Sequence, residues 1–377
     1  MTRNFQGNLR RTLTAAAISL VFAAMLALVG CSGGLAESES PDAAPDTTQE
    51  STTRVVVDMQ GNEVEVPSDI TNAFNGYPVN CGIMSMLGAS DTEQYYLPRL
   101  MSDNWEWLRE LDPSIEGKPT IGDDAIASAE EVLTIDPDVV LLANDDTAAT
   151  YREGGITPFM VNAKTTDEFL ESVVKTGALF GDDAESKAQE FADYYQENID
   201  FVQERIADIP ESERPSVYYI GGTTAYDTKI KGNGIEFVTN AGGVFALSQD
   251  DLGENKQVTP EQLLTADPDV IIVGTNNRAK GYESIMGEEA LASLAAVQGD
   301  AVYKTPQGTL PWDTYGPEQS MAVLWMAKTL YPDRFDDVDL VQTMKDFYKK
   351  FYGYELSDEY AELMLAGEMG PNATDGR

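Results

Sequence analysis

Residues 260–273, Pro-Glu-Gln-Leu-Leu-Thr-Ala-Asp-Pro-Asp-Val-Ile-Ile-Val, repeat a pattern already present at residues 129–142, Ala-Glu-Glu-Val-Leu-Thr-Ile-Asp-Pro-Asp-Val-Val-Leu-Leu. Each copy opens with a helix-start signal. Ser128 has Glu131 three residues on, and Thr259 has Gln262 three on, with Pro260 at the first helical position. A short amphipathic helix follows. Asp136-Pro137-Asp138 and Asp267-Pro268-Asp269 then end it, because a residue before proline is pushed out of the helical region. Behind each turn stands an unbroken apolar run, Val139 to Leu142 and Val270 to Val273. Short β-branched runs behind a helix suit strands of a parallel sheet covered on both faces. The doubled helix–turn–strand unit predicts an α/β chain of two similar parallel-sheet lobes.

A long helical pattern separates the copies. From Asp182 the apolar residues Ala188, Phe191, Ala192, Tyr195, Ile199, Val202 and Ile206 recur at spacings of three and four, and nothing interrupts them before Pro210. Roughly 25 residues at 1.5 Å each make a helix of about 37 Å. That length can pass from one lobe to the other; a long surface helix of one lobe is the alternative. The expected organisation is an N-terminal lobe over 54–181, a helix over 182–209, a C-terminal lobe over 210–366 and a loose tail over 367–377.

With 377 residues the chain is long enough for two domains of ordinary size. Lysine and arginine number 25 against 64 acids, a net charge of −39, which repels phosphate backbones and excludes nucleic acid as a partner. There is no histidine, so the commonest metal ligand and the commonest general base are both missing. No glycine-rich stretch ends in Lys-Ser or Lys-Thr, which excludes a nucleotide-hydrolysing phosphate loop.

The N-terminus reads as a targeting segment. Arg3, Arg10 and Arg11 precede an apolar stretch, Leu13 to Val29, that ends Leu28-Val29-Gly30-Cys31. This ending resembles the bacterial lipobox, which implies a signal peptide over 1–30 and a lipid on Cys31. Residues 31–53 hold almost nothing to bury and read as a tether. Cys81 is then alone, and a small buried side chain is the expected role.

In the folded part, Val55–Asn62 and Val64–Pro67 read as a hairpin around Gln60-Gly61-Asn62. Parallel α/β sheets bind ligands beyond the carboxyl ends of their strands. That rule selects the loops Phe74–Asn80 and Asn144 in the first lobe. In the second it selects Thr223–Tyr226, Asn276–Arg278 and Trp312–Tyr315. The ligand-binding candidates are Asn75, Tyr77, Tyr226, Arg278, Trp312, Asp313 and Tyr315. Their aromatic faces suit a flat or greasy chelate, and Arg278 suits a carboxylate or catecholate.

The lipobox, the opening Asp58-x-x-Gly61-x-x-Val64-x-Val66-Pro67, Leu87-Gly88 with Asp91, and the twin Glu-x-x-Leu-x-x-Asp-Pro-Asp units occur in that order. Together they resemble the substrate-binding lipoproteins of ABC importers for iron–siderophore complexes, haem and cobalamin. The resemblance implies two lobes joined by one long helix, with the ligand in the cleft between them. It implies a monomeric binding protein rather than an enzyme, anchored outside the cell membrane by lipid on Cys31, without a resident cofactor. Its partners would be an ABC permease with its ATPase, docked through Glu130 and Glu261. The stretch Pro311-Trp312-Asp313-x-Tyr315-Gly316-Pro317-Glu318 looks like a subgroup that binds iron or other metal complexes. An iron complex is the expected cargo, with haem, cobalamin or a nickel or cobalt complex as alternatives. A two-lobed chelatase-like enzyme is the alternative class. Without histidine, the metal should arrive wrapped by its chelator.

Overall fold

The computed structural model describes residues 53–124, 126–230, 235–252, 257–274 and 278–371. Cys31, the leader and Asn276 lie outside the described residues. The two apolar runs of the repeat form strands, each flanked on both sides. In the first lobe β3 (Ala73–Asn75), β4 (Val139–Leu142) and β5 (Phe159–Met160) make a parallel sheet with β4 in the middle. In the second, β7 (Val244–Phe245), β6 (Ser216–Ile220), β8 (Val270–Val273) and β9 (Val302–Lys304) lie in that order, all parallel. Every residue of β4 and β8 is buried, as strands covered on both faces require.

The repeat is chemical as well as topological. Both helices carry a complete capping box, Ser128 with Glu131 and Thr259 with Gln262. The first aspartate of each Asp-Pro-Asp takes a left-handed backbone, φ 46° at Asp136 and 36° at Asp267. The second ties down the entry of the neighbouring strand. Asp138 Oδ2 accepts from the amides of Thr71 (2.8 Å) and Asn72 (2.9 Å), and Asp269 Oδ2 accepts from the amide and hydroxyl of Ser216 (2.7 Å each). A charged acceptor on two donors is a strong local bond. Here it sets which residue of β3 faces β4, and of β6 faces β8.

The connecting helix runs Asp182–Arg205, 24 residues or about 36 Å, ending short of the expected 209. Ala184, Ala188, Phe191, Ala192, Tyr195 and Val202 are its buried stripe. One apolar cluster follows this stripe from Ile83, Phe169 and Val173 in the first lobe to Val217, Ile272 and Met321 in the second. The helix before it, Thr166–Phe180, packs on it at Gly177, where there is no room for a side chain. A Cβ there would sit 2.6 Å from Ala188 Cβ and 2.7 Å from Ala184 O. The end of the chain adds further ties to the first lobe. Tyr352 Oη donates to Gly82 O (3.1 Å), Tyr354 Oη to Glu110 Oε1 (2.8 Å) and Trp107 Nε1 to Glu368 O (2.8 Å). No helix among the described residues is long and apolar enough to cross a membrane.

The hairpin β1 (Thr53–Val57) and β2 (Glu63–Pro67) explains the opening motif. Asp58 is fully buried and accepts from the amides of Gln60 (2.8 Å), Asn62 (2.8 Å) and Met160 (3.2 Å), and from Asn62 Nδ2 (2.9 Å). Gly61 supplies the positive φ, 79°, that the turn needs. Removing such an acceptor leaves three amides without partners, so Asp58→Ala should lower the unfolding free energy by about 3 kcal/mol. Urea denaturation checks this, and an unchanged midpoint would show that the carboxylate is not holding the hairpin on β5.

Candidate ligand-binding cleft

The carboxyl ends of all three first-lobe strands open on one cavity of about 660 Å³. Gly76–Val79 after β3, Ala143 and Asn144 after β4, and Asn162 and Ala163 after β5 form one wall. Leu310, Pro311 and Thr314 of the second lobe face them. Arg99, Asn104 and Trp105, from an irregular stretch of short 3-10 turns, close a third side. The polar groups are held locally. Asn144 caps the helix Asp145–Glu153, accepting from the Thr147 amide at 2.9 Å, so that helix begins at the cavity edge. Asn162 Oδ1 is buried with no hydrogen-bond partner among the described residues, which leaves its amide unused by the fold.

The charge of the lining is unlike that of the rest of the chain. No aspartate or glutamate lines the cavity among the described residues, although the chain has 64. Arg99 does line it, and its guanidinium is in no ion pair among the described residues. Asn104, Asn144, Asn162, Thr147 and Thr314 add neutral donors and acceptors, while Tyr77 and Trp105 add aromatic surface. Burial pushes the Tyr77 hydroxyl pKa up, so it stays neutral and able to donate. The lining suits an anionic or oxygen-rich ligand with an apolar flank.

Of the seven ligand-binding candidates, Tyr77 lines the cavity. Asn75, at the end of β3, is 3 % exposed, with Nδ2 on Met84 Sδ (3.4 Å) and Cys81 Sγ (3.6 Å) and Oδ1 accepting from the Tyr77 amide. It shapes the loop rather than facing the cleft. The aromatic–proline stretch is mostly a joint between the lobes. Trp312 is 1 % exposed inside the large core cluster, and only its neighbours Pro311 and Thr314 reach the cavity. The Asp313 carboxylate accepts from the buried Tyr219 hydroxyl. Tyr315 stacks on Phe169 of the first lobe, centroids 5.5 Å apart, and donates to Glu236 Oε2 (3.2 Å). That same oxygen accepts from the Thr166 amide (2.7 Å) and hydroxyl (2.8 Å) across the lobe boundary.

A buried carboxylate pins this stretch from below: Glu318 accepts from Thr309 N (2.7 Å), Thr309 Oγ1 (2.8 Å) and Tyr348 Oη (3.0 Å). Arg278 is also internal, donating from Nε to Gly367 O (2.8 Å) and from Nη2 to Gln307 Oε1. Its burial lowers its pKa, and it does not line this cavity. Tyr226 is half-buried against the second-lobe cluster and does not line the cavity. Glu130 and Glu261 are both exposed. The sequence reading missed Arg99, Asn104, Trp105 and Asn162. Their one signal was Arg99 itself, a base after a proline in a chain poor in bases.

Asn75 leads inward to a titrating group. Cys81 Sγ donates to Glu93 Oε1 at 3.6 Å, and Glu93 is fully buried. Burial pushes its carboxyl up to about 8, against the thiol hydrogen bond and the Lys118 charge, which favour ionisation. The Cys81 thiol is itself pushed well up by burial and by Glu93, so it stays protonated. From the ordinary value of 4.5 to about 8, the folded chain keeps a proton that the unfolded chain has released. Stability therefore falls as pH rises through that window, by at most about 1.4 kcal/mol per pH unit. Glu93→Gln should remove this slope, so its urea midpoint should gain on the parent between pH 5 and pH 8. Parallel pH profiles for the two proteins would contradict a buried, proton-holding Glu93.

The chain is similar to known proteins. The periplasmic binding protein family matches residues 97–309. The molybdate-binding protein MolA of Haemophilus influenzae is 24 % identical over 321 residues, 79 % of this chain and 91 % of that protein. A cobalamin-binding protein of Halobacterium salinarum is 29 % identical over 161 residues, 41 % of this chain and 42 % of that one. Among solved structures, an ABC transporter solute binding protein from Sulfurospirillum deleyianum superposes with a TM-score of 0.70 at 24 % identity, covering 82 % of this chain and 98 % of its own. With a family match over more than half its length, and a fold shared with ABC transporter solute-binding proteins, this chain belongs to the periplasmic binding protein family.

Proposed function

We propose that this chain is the substrate-binding component of an ABC importer, and that its cargo is an anionic metal chelate, an iron complex first among them. The observation that carries the reading is Arg99, a cation without an ion-pair partner among the described residues, in a cavity whose described lining holds no carboxylate. A chain of net charge −39 repels anions in general, so a cleft cleared of acids suits a ligand that is negative itself. A cavity of about 660 Å³ falls within the range of sites for drug-sized ligands, roughly 300–1,000 Å³. Tyr77 and Trp105 would lie against the organic part of the chelate, and the asparagines and threonines against its oxygens. With no histidine in the chain, the metal would keep the donors of its own chelator. A chelatase-like enzyme would need a general base in the cleft, and the described lining offers amides, hydroxyls and one guanidinium.

One finding favours a second reading, a bare oxyanion: a relative covering most of this chain is described as molybdate-binding. The amides of Asn104, Asn144 and Asn162 would suit such an ion, although it would fill only part of the cavity. Membrane retention through lipid on Cys31, with the cleft facing outward, belongs to the same proposal, as does docking of Glu130 and Glu261 against permease cations. Fractionation of cells making Cys31→Ala tests the anchor: processed protein should be released, and processed protein that stays with the membrane would count against the lipid on Cys31.

Calorimetric titration with ferric siderophores, haem, cobalamin, molybdate and free ferric iron tests the cargo. An anionic ferric chelate should bind, and Arg99→Ala should weaken it about tenfold or more, the worth of a charge-assisted bond. Tight binding of molybdate alone would select the oxyanion reading. Chelate binding that ignores Arg99→Ala would mean that the cavity's charge is not the recognition element.

A further inference from the structure

The two copies of the repeat share a feature that the fold does not use. Within each helix one residue is fully buried, Val132 and Leu263, and the leucine directly after it meets water. Leu133 is 50 % exposed and Leu264 37 %. They are the only leucines among the large apolar residues exposed in the described chain. One exposed leucine is ordinary on a protein surface. The same leucine exposed at the same place in both lobes calls for a shared cause, and neither core supplies it. Three residues before each lies an exposed acid, Glu130 and Glu261, on the same helix face by the i, i+3 spacing. Neither acid is in an ion pair among the described residues. Each lobe thus offers one apolar knob beside one unpaired negative charge.

We propose that Leu133 and Leu264 are the apolar anchors of a two-point docking surface for a two-fold symmetric partner bearing two equivalent apolar sockets, each beside a cation. The identity of the two points sets the symmetry, because a surface that presents the same pair twice is matched by a partner that repeats its socket by a two-fold. The charge sets the sign of the socket's rim. On the importer reading, on which this inference rests, that partner is the dimeric permease. The acids steer the approach and give it salt dependence, whereas the leucines, desolvated on contact, set how long the complex lasts.

The test uses the full chain and the permease–ATPase complex of the proposed importer, purified in nanodiscs, with binding followed by biolayer interferometry at low and high salt. Both leucines are exposed, so Leu133→Ser and Leu264→Ser should keep the parent's melting temperature and ligand affinity. Each should weaken docking about tenfold, chiefly through faster dissociation, and the double variant by about a hundredfold, with the salt dependence unchanged. Glu130→Gln with Glu261→Gln should instead flatten the salt dependence. If the acid variants weaken docking and the leucine variants do not, the importer reading stands and the apolar anchors are wrong. Loss from one leucine only would overturn the two-fold partner. Failure of the parent chain to bind the complex at all would overturn the importer reading itself. Sedimentation showing a dimer of this chain that the leucine variants abolish would give the surface to self-association and overturn the proposal.

Discussion

Both lobes pack part of their apolar surface on the same helix, and the joint between them follows from that contact. The stripe Ala184, Ala188, Phe191, Tyr195 and Val202 belongs to neither lobe alone. The absence of a side chain at Gly177 lets the preceding helix close on it, and Asn198 Nδ2 donates to Ser320 O (2.9 Å) on the second-lobe side. A hinge needs a few residues free to change backbone angle, whereas this connection is a packed helix whose sides are covered. Tyr315 on Phe169, the Glu236–Thr166 bonds and the returning C-terminal segment bridge the lobes again. On the proposed function the cleft would be largely built before a ligand arrives, and affinity would come from a ready-made site rather than from closure.

The fold was legible because its determinants are local. A capping box needs two residues three apart, and an Asp-Pro-Asp turn needs three in a row. A covered strand needs four apolar residues together. Each of those signals sits at Ser128–Leu142 and again at Thr259–Val273, and each formed as its chemistry predicts. The connecting helix was legible from its spacing for the same reason, and its last turn was lost only beyond Arg205.

The site was less legible because strand ends do not announce which way a side chain turns. Asn75, the last residue of β3, and Tyr77 are two residues apart, yet one packs on sulfur atoms and the other lines the cavity. Trp312 and Tyr315 carry the composition of a binding loop, two aromatics among prolines, and that composition serves equally well to pack one lobe on the other. Arg278 shows the same ambiguity for charge, being folded inward against Gly367 and Gln307. Arg99 and Asn104 stand in short 3-10 turns with no periodicity to read, and only the fold brings them to the ends of β3, β4 and β5.

On the proposed function a metal complex would sit at the carboxyl ends of the first-lobe strands, facing Leu310, Pro311 and Thr314. An anomalous difference map from crystals of the protein with a bound ferric chelate, collected at the iron edge, measures that position directly. One strong peak is expected inside the cavity bounded by Tyr77, Arg99, Asn144, Asn162 and Thr314. A peak beside Tyr226 or at the buried Cys81–Glu93 pair would contradict this placement.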